Sequence, residues 1–322
     1  LKQKWKVHKF GGTSVLNADR YKNVCSIVTT QVPESRKAVV VSAMKGTTDD
    51  LIKTVELAQS QQDSYKELLQ KIHQRHQQEI KALLKNPYQE TLLKVLDKDI
   101  HELGEILRGV WLVKTASDKI FDLVSGMGEV WSAQILNAYF QQQGLTTNWL
   151  DARQILVVDR ADQTVMIDWQ ASQEKLNQWQ KKHDFDLLTI TGFVAATADG
   201  ATTTLGRNGS DYSASIFGAL FEADEIFIWT DVDGILSADP RQIPEAIILK
   251  EMSYSEVTEL AYFGAKVVHP ATMAPAIKKK IPIWIKNTFN PSYPGTKIYS
   301  GAKSSTAVKG FSTIDQLSLL NV

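Results

Sequence analysis

The chain has 322 residues, a length that fits either one large two-lobed unit or two domains. Its 43% hydrophobic and 22% charged residues describe a globular chain with ample core, not a disordered one. With 36 basic and 36 acidic side chains there is no net field toward nucleic acid or membrane lipid, so any anion site must be local.

Cys25 is the only cysteine, which excludes an internal disulfide and any multi-cysteine zinc or iron-sulfur centre and suits a reducing, cytoplasmic setting. No apolar run approaches the ~20 residues that span a bilayer, and the N-terminus lacks the basic start and apolar core of a signal segment.

In chain order, residues 5–10 read as a strand, 11–12 as a glycine turn and 18–28 as a helix. Residues 38–43 form a β-branched run suited to a buried parallel strand, followed by polar residues and a new helical pattern from Leu51. Residues 65–112 are helical throughout, broken at Asn86 and Pro87, which predicts an antiparallel helical hairpin with a solvated outer face. Further strands are expected at 164–167, 187–193, 225–229 and 281–286, with helices such as 211–221 and 255–263 between them. This alternation predicts a mostly parallel sheet covered by helices on both sides. Residues 290–295 form a turn-rich closure, 301–306 a small-residue linker, and 308–311 with 317–322 resemble new strand material.

In such sheets ligands collect where strands end and helices begin, because free backbone N–H groups and the positive helix end attract anions. Lys9-Phe10-Gly11-Gly12-Thr13-Ser14 is placed there. Its glycines let amides approach phosphate oxygens, and Lys9 can neutralise a phosphoryl in transit. The lysine precedes the glycines, so this is not a Walker A loop, and alone it fits an ordinary tight turn equally well.

A second glycine loop at residues 206–211 opens a helix, where Ser210 or Asp211 suits a cap. Capping leaves Arg207 unexplained, and its guanidinium suits a carboxylate or phosphate. A third loop, residues 229–234, leads to Asp239-Pro240-Arg241. An EF-hand is rejected there because the glycine falls at loop position 4 and Gln242 occupies position 12; a nucleotide-edge loop with Arg241 on phosphate fits better.

Taken together, residues 9–15 (KFGGTSV), 206–212 (GRNGSDY), 229–234 (WTDVDG), 239–241 (DPR) and 263–270 (FGAKVVHP) resemble the aspartokinases, members of the amino acid kinase family, in order and approximate separation. The likeness runs from about Val7 to Ile298, and the wording of residues 206–286 is closer to the aspartokinase half of bifunctional enzymes than to the lysine-sensitive monofunctional form.

The resemblance implies a three-layer α/β/α sandwich in two lobes, the carbamate kinase-like arrangement: an aspartate lobe at about 1–200 and an ATP lobe at about 201–303. Residues 304–322 would be a linker and the first strand of an ACT regulatory domain. Lys9, Gly11 and Gly12, with Thr13 and Ser14, would cradle the transferred phosphoryl. Thr48, Glu129, Phe193, Arg207, Ser210 and Asp211 would surround L-aspartate, with Arg207 on its α-carboxylate and Glu129 near its α-amino group. Thr230, Asp231, Leu236, Arg241 and Lys266 would line ATP. The reaction would be ATP-dependent phosphorylation of the aspartate β-carboxylate, the first step toward lysine, threonine and methionine. Mg²⁺ would be held through the ATP phosphates, the assembly would be a homodimer, and activity without end-product feedback is expected. Glutamate or N-acetylglutamate kinase chemistry and a silent regulatory subunit are the alternatives.

Chemistry read from the residues agrees. A carboxylate with a reference pKa of ~3.9 is ionised near neutral pH and needs no general base, so catalysis falls to positioning and to cations. Two departures from the family pattern stand out. Leu236 replaces a frequent tyrosine, and glycine or methionine flanks Glu129 where histidine and methionine or leucine are usual. Elsewhere the plainer readings hold: His73 and His76 at the surface, His269 as a helix cap, Cys25 in the core, and the tryptophans in packing.

Overall fold

The computed structural model describes residues 4–30, 35–161, 164–183, 185–262, 269–302 and 308–312. Strand β1 (Trp5–Phe10) leads to α1 (Ala18–Thr30), then β2 (Arg36–Val41), α2 (Thr47–Gln59), the long helices α3 (Ser64–Leu83) and α4 (Tyr88–Val113), and α5 (Asp118–Gln142). There follow β3 (Thr147–Leu150), β4 (Val157–Ala161), β5 (Thr164–Ile167), α6 (Trp169–Gln180), β6 (Leu187–Thr191), β7 (Val194–Thr197) and β8 (Thr202–Thr204). The remainder comprises α7 (Gly209–Leu220), β9 (Glu225–Thr230), β10 (Glu251–Met252), α8 (Tyr254–Tyr262), α9 (Pro270–Lys278), β11 (Ile283–Asn287) and β12 (Thr296–Ile298).

The main sheet has the order β10-β12-β11-β9-β1-β2-β6-β3 and is parallel except for the β11/β12 pair. β1 therefore sits at its centre, with Lys9 opposite Val40 on one side and Ile228 on the other. Each face of the sheet carries its own core. Val7, Val40, Ile190, Ile228 and Ile285 pack toward α7 and α9, whereas Phe10, Val39, Val41 and Trp229 pack toward α1 through α5. Because side chains alternate along a strand, Lys9 shares the face of Trp5 and Val7 and is aimed at α7. This is the expected α/β layering around a mostly parallel sheet.

A second sheet, β5-β4-β7-β8, was not legible beyond its one strand at 164–167. It is tied to α5 by the buried Asp122, which accepts hydrogen bonds from Arg160, Thr203 and Thr204.

The helical hairpin is α3 against α4, broken at Asn86 and Pro87 as expected. One expectation for it is corrected. His76 is not at the surface: it is fully buried, its Nδ1 lies 2.8 Å from the Ile72 carbonyl, and its ring stands edge-on to Trp131 at 4.9 Å. It continues the stripe of Leu69, Ile72 and Ile80, so the hairpin's own packing encloses it, and burial lowers its pKa to about 4. His73 instead reaches Asp97 on α4 at 2.6 Å.

His269 caps α9, accepting from the Ala271 amide, and Cys25 is buried and free. The second helix begins at Thr47 rather than Leu51, since Asp49 and Asp50 sit in its first turn and favour the positive helix end. Residues 308–312 belong to no strand; Phe311 donates one backbone hydrogen bond to Ser237 and Lys309 pairs with Glu256 at 2.9 Å. Residues 317–322 lie outside the described residues. Among the described residues no helix is long and apolar enough to cross a membrane.

Candidate functional site

The C-terminal ends of β1, β2 and β6 and the N-terminus of α7 meet around a cleft of about 540 Å³. Three loops form it. The turn after β1 is closed by the Ser14 amide donating to the Gly11 carbonyl at 2.8 Å. The loop after β2 is in backbone contact with that turn: the Lys45 amide donates to the Gly12 carbonyl at 3.1 Å. A Cβ on Gly12 would come within 2.8 Å of the Ala43 oxygen, so only glycine allows this approach. The third loop, after β6, holds Phe193 at φ 67, outside the range most side chains adopt, and its amide is held by the Ser213 hydroxyl at 3.0 Å.

Into this cleft project Lys9, Glu129, Thr48, Phe193, Arg207, Ser210 and Asp211, drawn from five separate stretches of chain. Lys9 Nζ lies 2.7 Å from Asp211 Oδ1, with both side chains largely buried. Arg207 is exposed and has no hydrogen-bond or ion-pair partner among the described residues, in a loop whose Gly206 and Asn208 both have positive φ. Asn208 immediately precedes α7, so the positive end of that helix lies at the cleft, a favourable setting for an anion.

Glu129 is the unusual group. It is 4% exposed, its Oε2 has no hydrogen-bond partner among the described residues, and its pKa is raised to about 8. Burial is the main cause, partly offset by the backbone amide of Ala43, its own amide and the charge of Lys9. The glycines flanking it, noted above as departures, have a steric meaning. A Cβ on Gly128 would stand 2.7 Å from Ala43 Cβ, and one on Gly126 would stand 2.6 Å from Val194 Cγ1. Helix α5 thus lies close against the loop after β2 and the start of β7, bringing Glu129 into the cleft.

The residues expected to face a nucleotide lie beside this cleft, at the end of β9, rather than in its lining. Thr230 bonds the exposed Asp231 at 3.2 Å. Leu236 forms an isolated antiparallel bridge with Ile248. Arg241 is held in a two-point pair with Asp239, at 3.0 and 2.6 Å, while its side chain stays 82% exposed. Ser14 is buried and its hydroxyl contacts Thr288 at 2.7 Å; Gly11 and Thr13 complete the turn outside the lining. Lys266 lies outside the described residues.

Sequence reading did not nominate Ser42, Ala43, Met44, Lys45 or Asp49, which also line the cleft. The signal was available, because they follow the buried end of a parallel strand, where ligands collect. A larger depression, about 960 Å³, lies at the opposite end of the strands among Trp5, Arg36, Phe185 and Phe221. Arg36 is already engaged there, stacked over Trp5 and Phe185 and donating to the Phe185 carbonyl at 3.0 Å.

Comparison with known proteins agrees with this architecture. The profile of the amino acid kinase family matches residues 4–287. The chain is 43% identical over 325 residues to the bifunctional aspartokinase/homoserine dehydrogenase 1, chloroplastic, of Arabidopsis thaliana, covering 99% of this chain and 36% of that one. It is 33% identical to the bifunctional aspartokinase/homoserine dehydrogenase 2 of Escherichia coli, covering 98% of this chain and 38% of that one. The chain thus spans about a third of the length of these curated relatives. The crystal structure of E. coli aspartokinase III in complex with aspartate and ADP superposes with a TM-score of 0.85 at 27% identity, covering 95% of this chain and 67% of that one.

Proposed function

The chain belongs to the amino acid kinase family, and from that premise we propose that it is an aspartate kinase, transferring the γ-phosphoryl of ATP to the β-carboxylate of L-aspartate. The observation that carries this reading is the pairing, in one cleft, of a cation aimed along the phosphoryl path, Lys9, with an amino-acid pocket of opposite polarities, Arg207 and Glu129. Support comes from relatives named as aspartokinases along nearly all of this chain and from a similar fold solved with aspartate and ADP.

In this reading Arg207 takes the α-carboxylate of aspartate and Glu129 its ammonium, while Thr48, Phe193 and Ser210 close around the body of the substrate. The β-carboxylate, already ionised, attacks the γ-phosphorus; a new O–P bond forms as the bond to the β-phosphate oxygen breaks, and ADP leaves with the electron pair. Lys9 stabilises charge on the phosphoryl in passage, and Asp211 fixes the direction of Lys9. Gly11, Gly12, Thr13 and Ser14 shape the phosphate turn, and Thr230, Asp231, Leu236, Arg241 and Lys266 hold the nucleotide.

Mg²⁺ supplies charge neutralisation on the phosphates when bound. In this reading the ion is held through the ATP phosphates, and the protein's part is to grip those phosphates. The same reading takes residues 1–303 as the catalytic unit and 304–322 as the start of a regulatory domain, in a homodimer. A reducing compartment, in the simplest case the cytoplasm, suits its one buried thiol.

The test is trapping of acyl phosphate with hydroxylamine, offering aspartate, glutamate and N-acetylglutamate in parallel. Product with aspartate is expected, and turnover with glutamate alone would overturn the assignment.

A further inference from the structure

Two residues of the helical hairpin reach across to the segments around the cleft without lining it themselves. Arg75 and Glu79 are one turn apart on α3, both half-buried, and so lie on the same helical face. Arg75 donates from its guanidinium to the Lys45 carbonyl at 2.9 Å. The same Lys45 gives its amide to the Gly12 carbonyl. Glu79 Oε2 accepts from the Ala18 amide at 2.6 Å, a charge-assisted bond at the first turn of α1.

The consequence is geometric. The phosphate turn runs from Gly11 to Ser14 and feeds α1 at Ala18. Glu79 pins the start of α1, just beyond the turn, and Arg75 bears on the turn itself through Lys45 and Gly12. Helix α3 is in turn rigidly placed, since His76, between these two residues, is buried against Trp131, and Trp131 donates to Asp99 on α4 at 2.9 Å. Trp131 lies two residues from Glu129 on α5. The hairpin therefore sets the spacing between the phosphate turn and the helix that carries Glu129.

We propose that Arg75 and Glu79 are positioning residues for phosphoryl transfer, acting through Lys45 and Ala18 to hold the two loops in register. The inference rests on the kinase reading given above. A phosphoryl-transfer site works by alignment, and a misplacement of about 1 Å can cost roughly 100-fold in rate. A clamp on backbone groups beside the turn and at the start of the helix it feeds is a direct way to prevent it.

The experiment compares Arg75→Met and Glu79→Asp with Arg75→Lys and Glu79→Gln in this chain. Methionine keeps the apolar stem without the donor, and aspartate draws the acceptor back by one methylene. For both, kcat per folded molecule should fall roughly 10- to 100-fold with the aspartate KM held within about threefold. Lysine and glutamine keep a donor and an acceptor, and should recover kcat to within about threefold of the parent.

Hydrogen exchange of the ligand-free protein gives a readout independent of turnover: the Ala18 amide should exchange faster in Glu79→Asp and the Lys45 amide faster in Arg75→Met, with Glu79→Gln protected. Unchanged kcat in folded Arg75→Met and Glu79→Asp would overturn the proposal. So would a loss explained by the unfolded fraction alone, a loss confined to aspartate KM, or unaltered exchange at both amides. An inactive parent chain would instead remove the kinase reading, and the exchange data would still decide whether the clamp exists.

Discussion

Lys9 and Asp211 form an ion pair of 2.7 Å between the centre of the sheet and the first turn of α7. Both side chains are mostly shielded, at 12% and 15% exposure, so the contact is less screened than a surface pair and keeps the ammonium in the cleft beside Asp211. A cation so aligned costs no reorganisation when a phosphoryl arrives. Lys9→Ala should lower kcat by roughly 100- to 1,000-fold with the fold retained, measured as acyl hydroxamate formed per minute. Undiminished turnover in this variant would remove Lys9 from the reaction.

Glu129 makes the site sensitive to pH. With its carboxyl raised from 4.5 to about 8 by burial, it is protonated in the empty protein near neutral pH. An ammonium beside it favours the charged form, so aspartate binding should release close to one proton, and apparent affinity should rise as pH climbs toward about 8 and then level off. Calorimetry in two buffers of different ionisation enthalpy measures the release directly.

The same shift sets the sign for stability. A group protonated more readily when folded stabilises the empty protein most below its unfolded pKa, and that contribution is lost as pH rises through about 8. Glu129→Gln should abolish both the proton release and this part of the slope of unfolding free energy with pH.

Gly128 and Gly109 should respond in opposite senses to alanine. At Gly128 the new methyl would meet Ala43 Cβ at 2.7 Å and Thr47 Cγ2 at 3.1 Å, so overpacking should cost about 1–3 kcal/mol and raise the aspartate KM as the β2 loop moves off Glu129. At Gly109, inside α4 with nothing within 4 Å, alanine should stabilise by about 0.5–1 kcal/mol. Thermal unfolding of the two variants side by side checks both signs.

The Ser14 and Thr288 hydroxyls form a buried pair at 2.7 Å. Ser14→Ala or Thr288→Val alone leaves one hydroxyl unsatisfied and should cost about 1–3 kcal/mol, while the double variant should cost less than the two losses summed. Denaturant unfolding of the four proteins completes the cycle.

Much of this was readable from the chain. The strand, glycine turn and helix at residues 5–28 and the hairpin broken at Asn86 follow local rules of period and turn chemistry, and the structure has them in place. Lys9 and Arg207 stood out because a cation at a strand end or before a helix has few structural uses. The loop of Ala43 and Lys45 was passed over because its role is carried by backbone atoms, which every residue has. His76 was misjudged because a single histidine on an apolar stripe reads as polar until the facing helix is known. The four-stranded sheet escaped because strands of three to five residues leave too short a pattern to separate from loop. Arg75 and Glu79 could not be nominated at all, since their partners are main-chain groups far away in sequence.

The central place of β1 also bears on how the chain comes into being. Its neighbours are β2, which follows within a few dozen residues, and β9, which begins only at Glu225. A chain emerging N-terminus first therefore carries β1 with one edge unpaired until Glu225 and the strand it begins have been made, and the Ser14 hydroxyl waits still longer for Thr288. Such an open hydrophobic edge is the kind that recruits other chains, so the yield of folded protein should depend on chaperone supply and on synthesis rate between residues 41 and 225.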